Sequence, residues 1–377
     1  MLSKEEISRY NRHLILPGFG VQSQEKLKQS KVLVIGAGGL GCPVLLYLTA
    51  AGVGEIGIVD FDTVEESNLQ RQVLFTVNDI GKPKAEVAAA KLSLQNQFIK
   101  FNTYSLRLEN KSALAIFPEY DIIIDGTDNF ATRYLVNDAC VLLGKPLVHG
   151  AIYKFEGQVS VFNYTDRSGK TGPSYRCLFP VPPAAGSVAN CSEIGVLGVL
   201  PGIIGTLQAT EAIKLITGIG EPLSGKLMLF DALTMNSTLV KINRNQARVN
   251  DVPKDTAAFL KTDYDFFCGN KNRLTIKTIT VTELQKMIEN KNEVQLLDVR
   301  EEGEEPFIDE LRDLHLPLGE VCKHAQLIAK NKKVIIFCKG GTRSKRAIEL
   351  LEKEFAFTNL YNLEGGVMEW IKHYQLK

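Results

Sequence analysis

Three glycines, Gly36, Gly38 and Gly41, fall in VLVIGAGGLGCP as G-x-G-x-x-G, between a short apolar run and a helix-like pattern. Such glycines let the backbone turn tightly and approach a phosphate, while the helix amino terminus offers unpaired N–H groups and the positive end of its dipole. Nucleotide binding is the chemistry this could do. Asp60 closes the next apolar run, near the spacing of about 20 residues at which an acidic side chain grips a ribose hydroxyl. Alone, that would suggest an NAD-dependent oxidoreductase. The residues that follow argue for a triphosphate instead: FDTVEESNLQRQ carries Asn68, Arg71 and Gln72, and GKPKAE carries Lys82 and Lys84. A dinucleotide pyrophosphate can be held mainly by backbone amides, but a triphosphate whose pyrophosphate must leave needs added cations and hydrogen bonds. Arg71 and Lys84 fit that role, which hydride transfer does not require; otherwise each would be a solvated surface charge. DGTDNF then places Asp125 and Asp128 after another apolar run, where a carboxylate can hold magnesium against ATP phosphates. Asp128 is the candidate, with an Asp-Asn helix cap as the competing reading.

A second constellation lies near the end of the chain. VIIFCKGGTRSKRAIELL puts Cys338 at the end of an apolar run, followed by a glycine-containing loop and a helix pattern. Loop amides, the helix dipole and the charges of Lys339 and Arg343 make this the setting expected of a reactive thiolate rather than of an inert buried cysteine. Four residues separate Cys338 from Arg343, one fewer than in a phosphatase-type loop, which suits a persulfide sulfur better than a phosphate.

These groups must be positioned by alternating strands and helices. Lys31 to Ile35, Ile56 to Val59, Ile122 to Ile124 and Leu147 to Val148 read as buried strands, separated by helical stretches such as Leu40 to Ala51 and Lys84 to Leu94. That alternation predicts an α/β fold, a mostly parallel sheet with helices on both faces and ligands at the carboxyl ends of its strands. The periodicity fades in a polar stretch, and a linker is expected at 246–274, after a first domain at 1–245. Beyond it, Gln295 to Val299 and Lys333 to Phe337 as strands, with Lys345 to Phe355 as a helix, predict a smaller α/β domain at 275–377.

Bulk properties exclude other classes. A chain of 377 residues is long for one core, and 45% hydrophobic with 23% charged residues is ordinary for a folded protein. The formal net charge of +1 gives no global field for a nucleic acid or an anionic membrane, so neither is expected as a partner. MLSKEEISRYNRHL has no apolar signal core, and Ile194 to Ile204 is short and broken by Gly195, Gly198, Pro201 and Gly202, so the chain reads as cytoplasmic. Seven scattered cysteines in such a chain argue for thiols or metal ligands over a disulfide framework.

Taken together, RYNRHLILPGFG, GAGGLGCP, VDFDTVEESNLQRQ, GKPKAEVA and DGTDN resemble, in order, the adenylation domain of the ubiquitin-activating superfamily in its MoeB/ThiF branch, over roughly residues 1 to 245. LLDVRE at Asp298 to Arg300, the Cys338 loop and NLEGGVMEW resemble a single rhodanese domain. The resemblance implies a Rossmann-like sheet followed by a rhodanese-like domain. It implies ATP-dependent adenylation of the terminal glycine carboxylate of a ubiquitin-like sulfur carrier ending in Gly-Gly, then sulfur transfer to a thiocarboxylate. The carrier's pathway, whether molybdopterin, thiamine, tRNA thiolation or another, stays open. ATP contacts are implied for Gly39, Asp60, Asn68, Arg71, Lys84 and Asp128, with Asn129 beside it. Arg12 is implied to reach across a homodimer to the partner's ATP, and Cys338 to receive sulfur from an upstream persulfide donor.

Cys191, in ANCSEIGVLGVLPG after the loop-like PVPPAAGS, resembles the acyl-accepting or sulfur-relay cysteine of the same family. Members of the family often hold a structural zinc on two Cys-x-x-Cys pairs. Here the matching positions read SYRC and DFFC, which leaves Ser174 and Asp265 beside Cys177 and Cys268, so zinc is expected to be lost. EEPFIDELRDLHLPL departs from the rhodanese pattern in being more acidic, and His315 within it reads as incidental. A carrier-binding scaffold with a degenerate site is the non-enzymatic rival.

Overall fold

The structure, a computed structural model, describes residues 1–183, 195–269, 276–290, 293–308, 311 and 313–375. The chain divides into two compact units, Met1–Asn270 and Lys271–Lys377.

In the first unit, five short strands, four of them carrying Val or Ile, pair in parallel: β1 Lys31–Ile35, β2 Glu55–Val59, β3 Lys100–Tyr104, β4 Ile122–Asp125 and β5 Leu147–Tyr153. Their spatial order is β3-β2-β1-β4-β5. The order reverses between β1 and β4, so the loops leaving these strands diverge and open a crevice at their carboxyl ends. Three further strands, β6 Glu156–Phe162, β7 Lys226–Asp231 and β8 Asn236–Lys241, extend the sheet antiparallel beyond β5. This extension has no counterpart in the strands read from the sequence. All six residues of β8 are exposed, so an edge strand of this kind shows no buried alternation to read.

Helix Gly41–Ala51 ends at Gly52, whose left-handed φ of +87° closes it. It is nearly all buried because it packs between the sheet and helix Leu200–Thr217. The opposite sheet face is covered by helices Asn110–Ile116 and Phe130–Leu143, around Phe117, Tyr134 and Phe162. Within the stretch expected as a linker, short helices at Gln246–Val249, Thr256–Lys261 and Tyr264–Phe267 are capped by Asn245, Asp255 and Asp263. Phe259, Tyr264 and Cys268 are buried in this same core. Each short helix supplies isolated anchors rather than a continuous apolar face, so no periodicity announces them.

The second unit is a parallel sheet in the order β11-β10-β12-β13-β9, formed by β9 Thr278–Ile279, β10 Val294–Asp298, β11 Leu314–His315, β12 Lys333–Phe337 and β13 Leu360–Leu363. Among the described residues, no helix is long and apolar enough to cross a membrane.

Candidate functional site

A cavity of about 590 Å³ opens where the loops after β1 and β4 part. Gly36, with φ of +92°, turns the chain out of β1, and a Cβ there would lie 2.9 Å from the Gly126 carbonyl oxygen. Gly41 is packed harder still: its Cβ would fall 1.9 Å from the carbonyl oxygen of Gly36. Gly36, Gly38 and Gly39 line the cavity, and Gly41 stands behind them as the first residue of the helix. Asp60 ties this loop to β2, accepting the N–H of Ala37 at 2.7 Å and that of Asp62 at 2.8 Å. Burial pushes its carboxyl up from the usual value, against those two amides. An ionised carboxylate has acceptor capacity beyond two amides, so Asp60 retains the means to hold a ribose hydroxyl.

Two cations face the same space. Lys84, only 5% exposed, opens helix Lys84–Gln95 and pairs with Asp62 at 3.0 Å. Arg71, half-buried, donates to the Ser67 carbonyl at 3.1 Å. Asn68 is buried behind them, and its backbone carbonyl accepts the N–H groups of Arg71 and Gln72. Two more side chains line the cavity: Gln72, which the sequence groups with Asn68 and Arg71, and Arg133, which no sequence motif singled out. Gln72 is buried, and its Oε1 has no hydrogen-bond partner among the described residues. Arg133 donates to the Thr127 carbonyl at 3.0 Å, and its Nε is buried without a partner among the described residues. A signal for Arg133 existed: it sits in the first turns of helix Phe130–Leu143, where the dipole disfavours a cation unless an anion is near.

The aspartate that ends β4 and the one that follows it divide their work. Asp125 is buried, accepts from the N–H of Thr127 at 2.9 Å, and lies 3.1 Å from His149 Nδ1. Burial lowers the His149 pKa despite that carboxylate, so the ring is neutral. Asp128 is exposed at the cavity rim, while Asn129 performs the capping, accepting from the Thr132 N–H at 2.9 Å. A carboxylate at the rim of a cavity large enough for a nucleotide fits magnesium, which takes one or two carboxylates plus phosphate oxygens and water. Arg12, on helix Lys4–Leu14, is exposed and is not among the cavity's lining residues. Cys191 lies outside the described residues.

The positions compared with a zinc site are otherwise engaged. Ser174 stands at the N-cap position of the helix Tyr175–Leu178 with its Oγ 3.5 Å from Cys177 Sγ, that sulfur also accepts the N–H of Asn245 at 3.3 Å, and Asp265 lies 3.5 Å from Arg107. Burial pushes the Cys268 thiol up to about 12. No group of three or more His, Cys, Asp or Glu among the described residues is arranged to hold a metal. A clasp without metal lies beside them: Arg176 donates to Asp138 at 2.8 and 2.7 Å, stacks over Tyr134 and Phe267, and Tyr264 donates to the same carboxylate at 2.8 Å.

In the second unit, Cys338 follows β12, and its Sγ accepts the Gly341 N–H at 3.1 Å. Ser344 Oγ, 3.5 Å from that sulfur, donates to Asn362 at 2.7 Å. Val367 N–H and Met368 N–H donate to the carbonyls of Cys338 and Lys339, which holds those carbonyls on α-helix Gly366–Gln375. Arg343 forms a two-pronged ion pair with Glu304. His315 Nε2 lies 2.8 Å from the Arg300 carbonyl oxygen.

Residues 10–250 match the ThiF family, and residues 280–373 match the rhodanese-like domain. The chain is 45% identical over 381 residues to a probable adenylyltransferase/sulfurtransferase MoeZ of Mycobacterium tuberculosis, covering 99% of this chain and 95% of that one. It is 52% identical over 267 residues to a sulfur carrier protein adenylyltransferase of Thermus thermophilus, covering 71% of this chain and 98% of the relative. Among solved structures it is similar to Escherichia coli MccB with ATP, with a TM-score of 0.54 and 25% identity over 64% of this chain and 73% of that one.

Proposed function

This chain belongs to the ThiF family and carries a rhodanese-like domain, and from that premise we propose how its own residues divide the work. It is an adenylyltransferase and sulfurtransferase, using ATP to adenylate the C-terminal glycine carboxylate of a ubiquitin-like sulfur carrier and coupling this to formation of a thiocarboxylate. The observation that carries the assignment of residues is a single cavity in which the Gly36–Gly39 backbone faces Arg71 and Lys84.

The glycine loop and helix amino terminus hold the phosphates, and Asp60 holds the ribose. The carrier carboxylate attacks the α-phosphate and pyrophosphate leaves, with Arg71 and Lys84 stabilising the charge that develops. Asn68 and Gly41 support this set from behind, and Asn129 fixes the helix start beside it. Asp128 would hold magnesium, which when bound neutralises phosphate charge. Tyr153, Phe179, Val196 and Leu229 also line the cavity and suit a thin Gly-Gly tail, which has no side chains that need room between them. Arg12, exposed and away from its own cavity, serves the nucleotide bound by the partner in a homodimer.

Cys338 carries sulfur from an upstream persulfide donor. Its terminal sulfur attacks the acyl adenylate and releases AMP. That leaves the carrier on Cys338 as an acyl disulfide, and the Cys191 thiolate attacks the Cys338 sulfur, so that the thiocarboxylate leaves with the electron pair and a Cys191–Cys338 disulfide remains for a small-molecule thiol to reduce. In the alternative route Cys191 first displaces AMP to form a thioester, from which the persulfide sulfur displaces the Cys191 thiolate to reach the same acyl disulfide, and the mass of the intermediate separates the two. Zinc has no part, because Ser174 and Asp265 do not complete a four-coordinate set.

ATP–pyrophosphate exchange tests this reading. Exchange should require a small ubiquitin-like protein ending in Gly-Gly, and removing its last glycine should abolish it. Equal exchange without any carrier would overturn the proposal.

A further inference from the structure

The loop of Cys338 gathers positive potential from three sources: the Gly341 N–H on the sulfur, the amino terminus of the helix Thr342–Phe355, and the cations Lys339 and Arg343. Arg343 is the group with the planar fork that would suit an incoming oxyanion. Its fork is taken: Nη1 lies 2.7 Å from Glu304 Oε2 and Nη2 lies 2.6 Å from Oε1. Glu304 is not a loose surface acid. Its segment is fixed by Arg300, which pairs with the buried Asp298 at 2.7 Å and donates to the Pro306 carbonyl at 2.8 Å. Glu304 Oε2 also accepts the N–H of Glu301 at 3.3 Å. The hydrogen bonds from Arg343 hold the Glu304 carboxyl below its usual value. The pair is about three-quarters buried, with side-chain exposures of 28% and 21%, and it has the two-pronged geometry that makes an arginine–carboxylate pair persistent.

We infer that Glu304 is a specificity residue which, by occupying Arg343, sets the sulfur donor at Cys338 to be a monoanionic persulfide rather than the thiosulfate dianion. The inference rests on the reading of Cys338 as the persulfide carrier. Two loading steps compete. With an alkyl persulfide, the Cys338 thiolate attacks the outer sulfur, the donor S–S bond breaks, and the alkyl thiolate leaves with the electron pair, so two negative charges meet. With thiosulfate, the thiolate attacks the sulfane sulfur and sulfite leaves with the pair, so three charges meet. The added charge is the one a free guanidinium would carry. Neutralised by Glu304, Arg343 offers the dianion nothing until a two-pronged carboxylate is displaced. The persulfide needs only the loop amides and helix dipole.

The test loads the full-length enzyme with each donor in turn, thiosulfate and a small alkyl persulfide, and follows Cys338 persulfide by intact mass. The readout is the ratio of the two kcat/KM values. Glu304→Gln keeps the shape of the side chain and removes its charge, so the ratio of thiosulfate to persulfide should rise at least tenfold, mainly through the thiosulfate KM, and the gain should shrink with added salt. In the double variant with Arg343→Gln the gain should vanish. An unchanged ratio in Glu304→Gln, or a gain that survives loss of Arg343, overturns the inference. Should Glu304→Gln not fold, Arg343→Gln alone takes its place: the unneutralised carboxylate should lower the ratio at least fivefold, and an unmoved ratio overturns the inference. If the unchanged enzyme loads from neither donor, the sulfur-carrier reading of Cys338 itself falls, and the inference with it.

Discussion

Lys84 Nζ lies 3.0 Å from Asp62 Oδ2, an ion pair between a lysine buried in the cavity wall and an aspartate half exposed at its edge. The pair holds the ammonium in the cavity wall without committing it to a buried partner, which on the proposed reading leaves it able to turn to an incoming phosphate. Lys84→Ala and Arg71→Ala should each lower carrier-dependent pyrophosphate exchange by about an order of magnitude or more. Thermal melting should show that the fold is largely spared. Near-normal exchange in both variants would remove these residues from the site.

Purified protein should hold well under one zinc per chain after mild chelation, measured by elemental analysis. The reason is that Ser174 and Asp265 stand where two thiolates would be needed, and that Cys177 Sγ is engaged by Ser174 Oγ and by the backbone N–H of Asn245. Stoichiometric, chelation-resistant zinc would contradict it.

The Arg176–Asp138 clasp should be a large local contributor to stability. Asp138→Asn leaves a buried guanidinium without its counter-charge and should cost about 3 kcal/mol in urea unfolding of the first unit. A loss no larger than that of an exposed ion pair such as Arg248–Asp251 would show that the clasp is ornamental.

His149 predicts a pH dependence. Its folded pKa lies below 6.5, so below that pH the unfolded chain takes up a proton that the folded chain refuses. The stability linked to this ring is therefore fully present above 6.5 and is lost as pH falls from there to the folded value. His149→Gln, which cannot titrate in this window, should flatten that limb of the denaturation midpoint against pH. An unchanged slope would mean that the ring is not held neutral.

The two cysteines should separate by step. Cys338→Ala should keep exchange and lose sulfur transfer, because the thiol belongs to a different unit from the ATP cavity. Cys191→Ala should also keep exchange, since a carboxylate attacks ATP, but should slow thiocarboxylate formation. Mass spectrometry of the carrier terminus after single turnovers reads both. A normal thiocarboxylate yield from Cys338→Ala would end the relay.

What the sequence made legible was local. The glycine loop, Asp60 and the Cys338 loop each occupy one strand-turn-helix segment, so their setting is written beside them. Lys84 and Arg71 follow Asp60 closely enough to be grouped with it. Gln72 follows Arg71 within the same motif, whereas Arg133 was harder to read because its long side chain reaches the cavity from a position with no motif of its own, marked only as a cation near a helix amino terminus. The antiparallel extension was missed because β8 buries none of its residues, and Phe259 and Tyr264 because single anchors make no period. Asp125 and Asp128, three positions apart in DGTD, look equivalent in sequence; only burial tells the one that braces His149 from the one at the rim.

The contact among Gly36, Gly41 and Gly126 brings backbone against backbone at the floor of the cavity, with no side chain in between. Selection acts through side chains, so this floor offers it almost nothing to vary. A lineage drifting toward another nucleotide, or an engineer seeking one, would have to rewrite the walls at positions such as Gln72, Arg107 and Phe130, leaving the floor as an inherited constant.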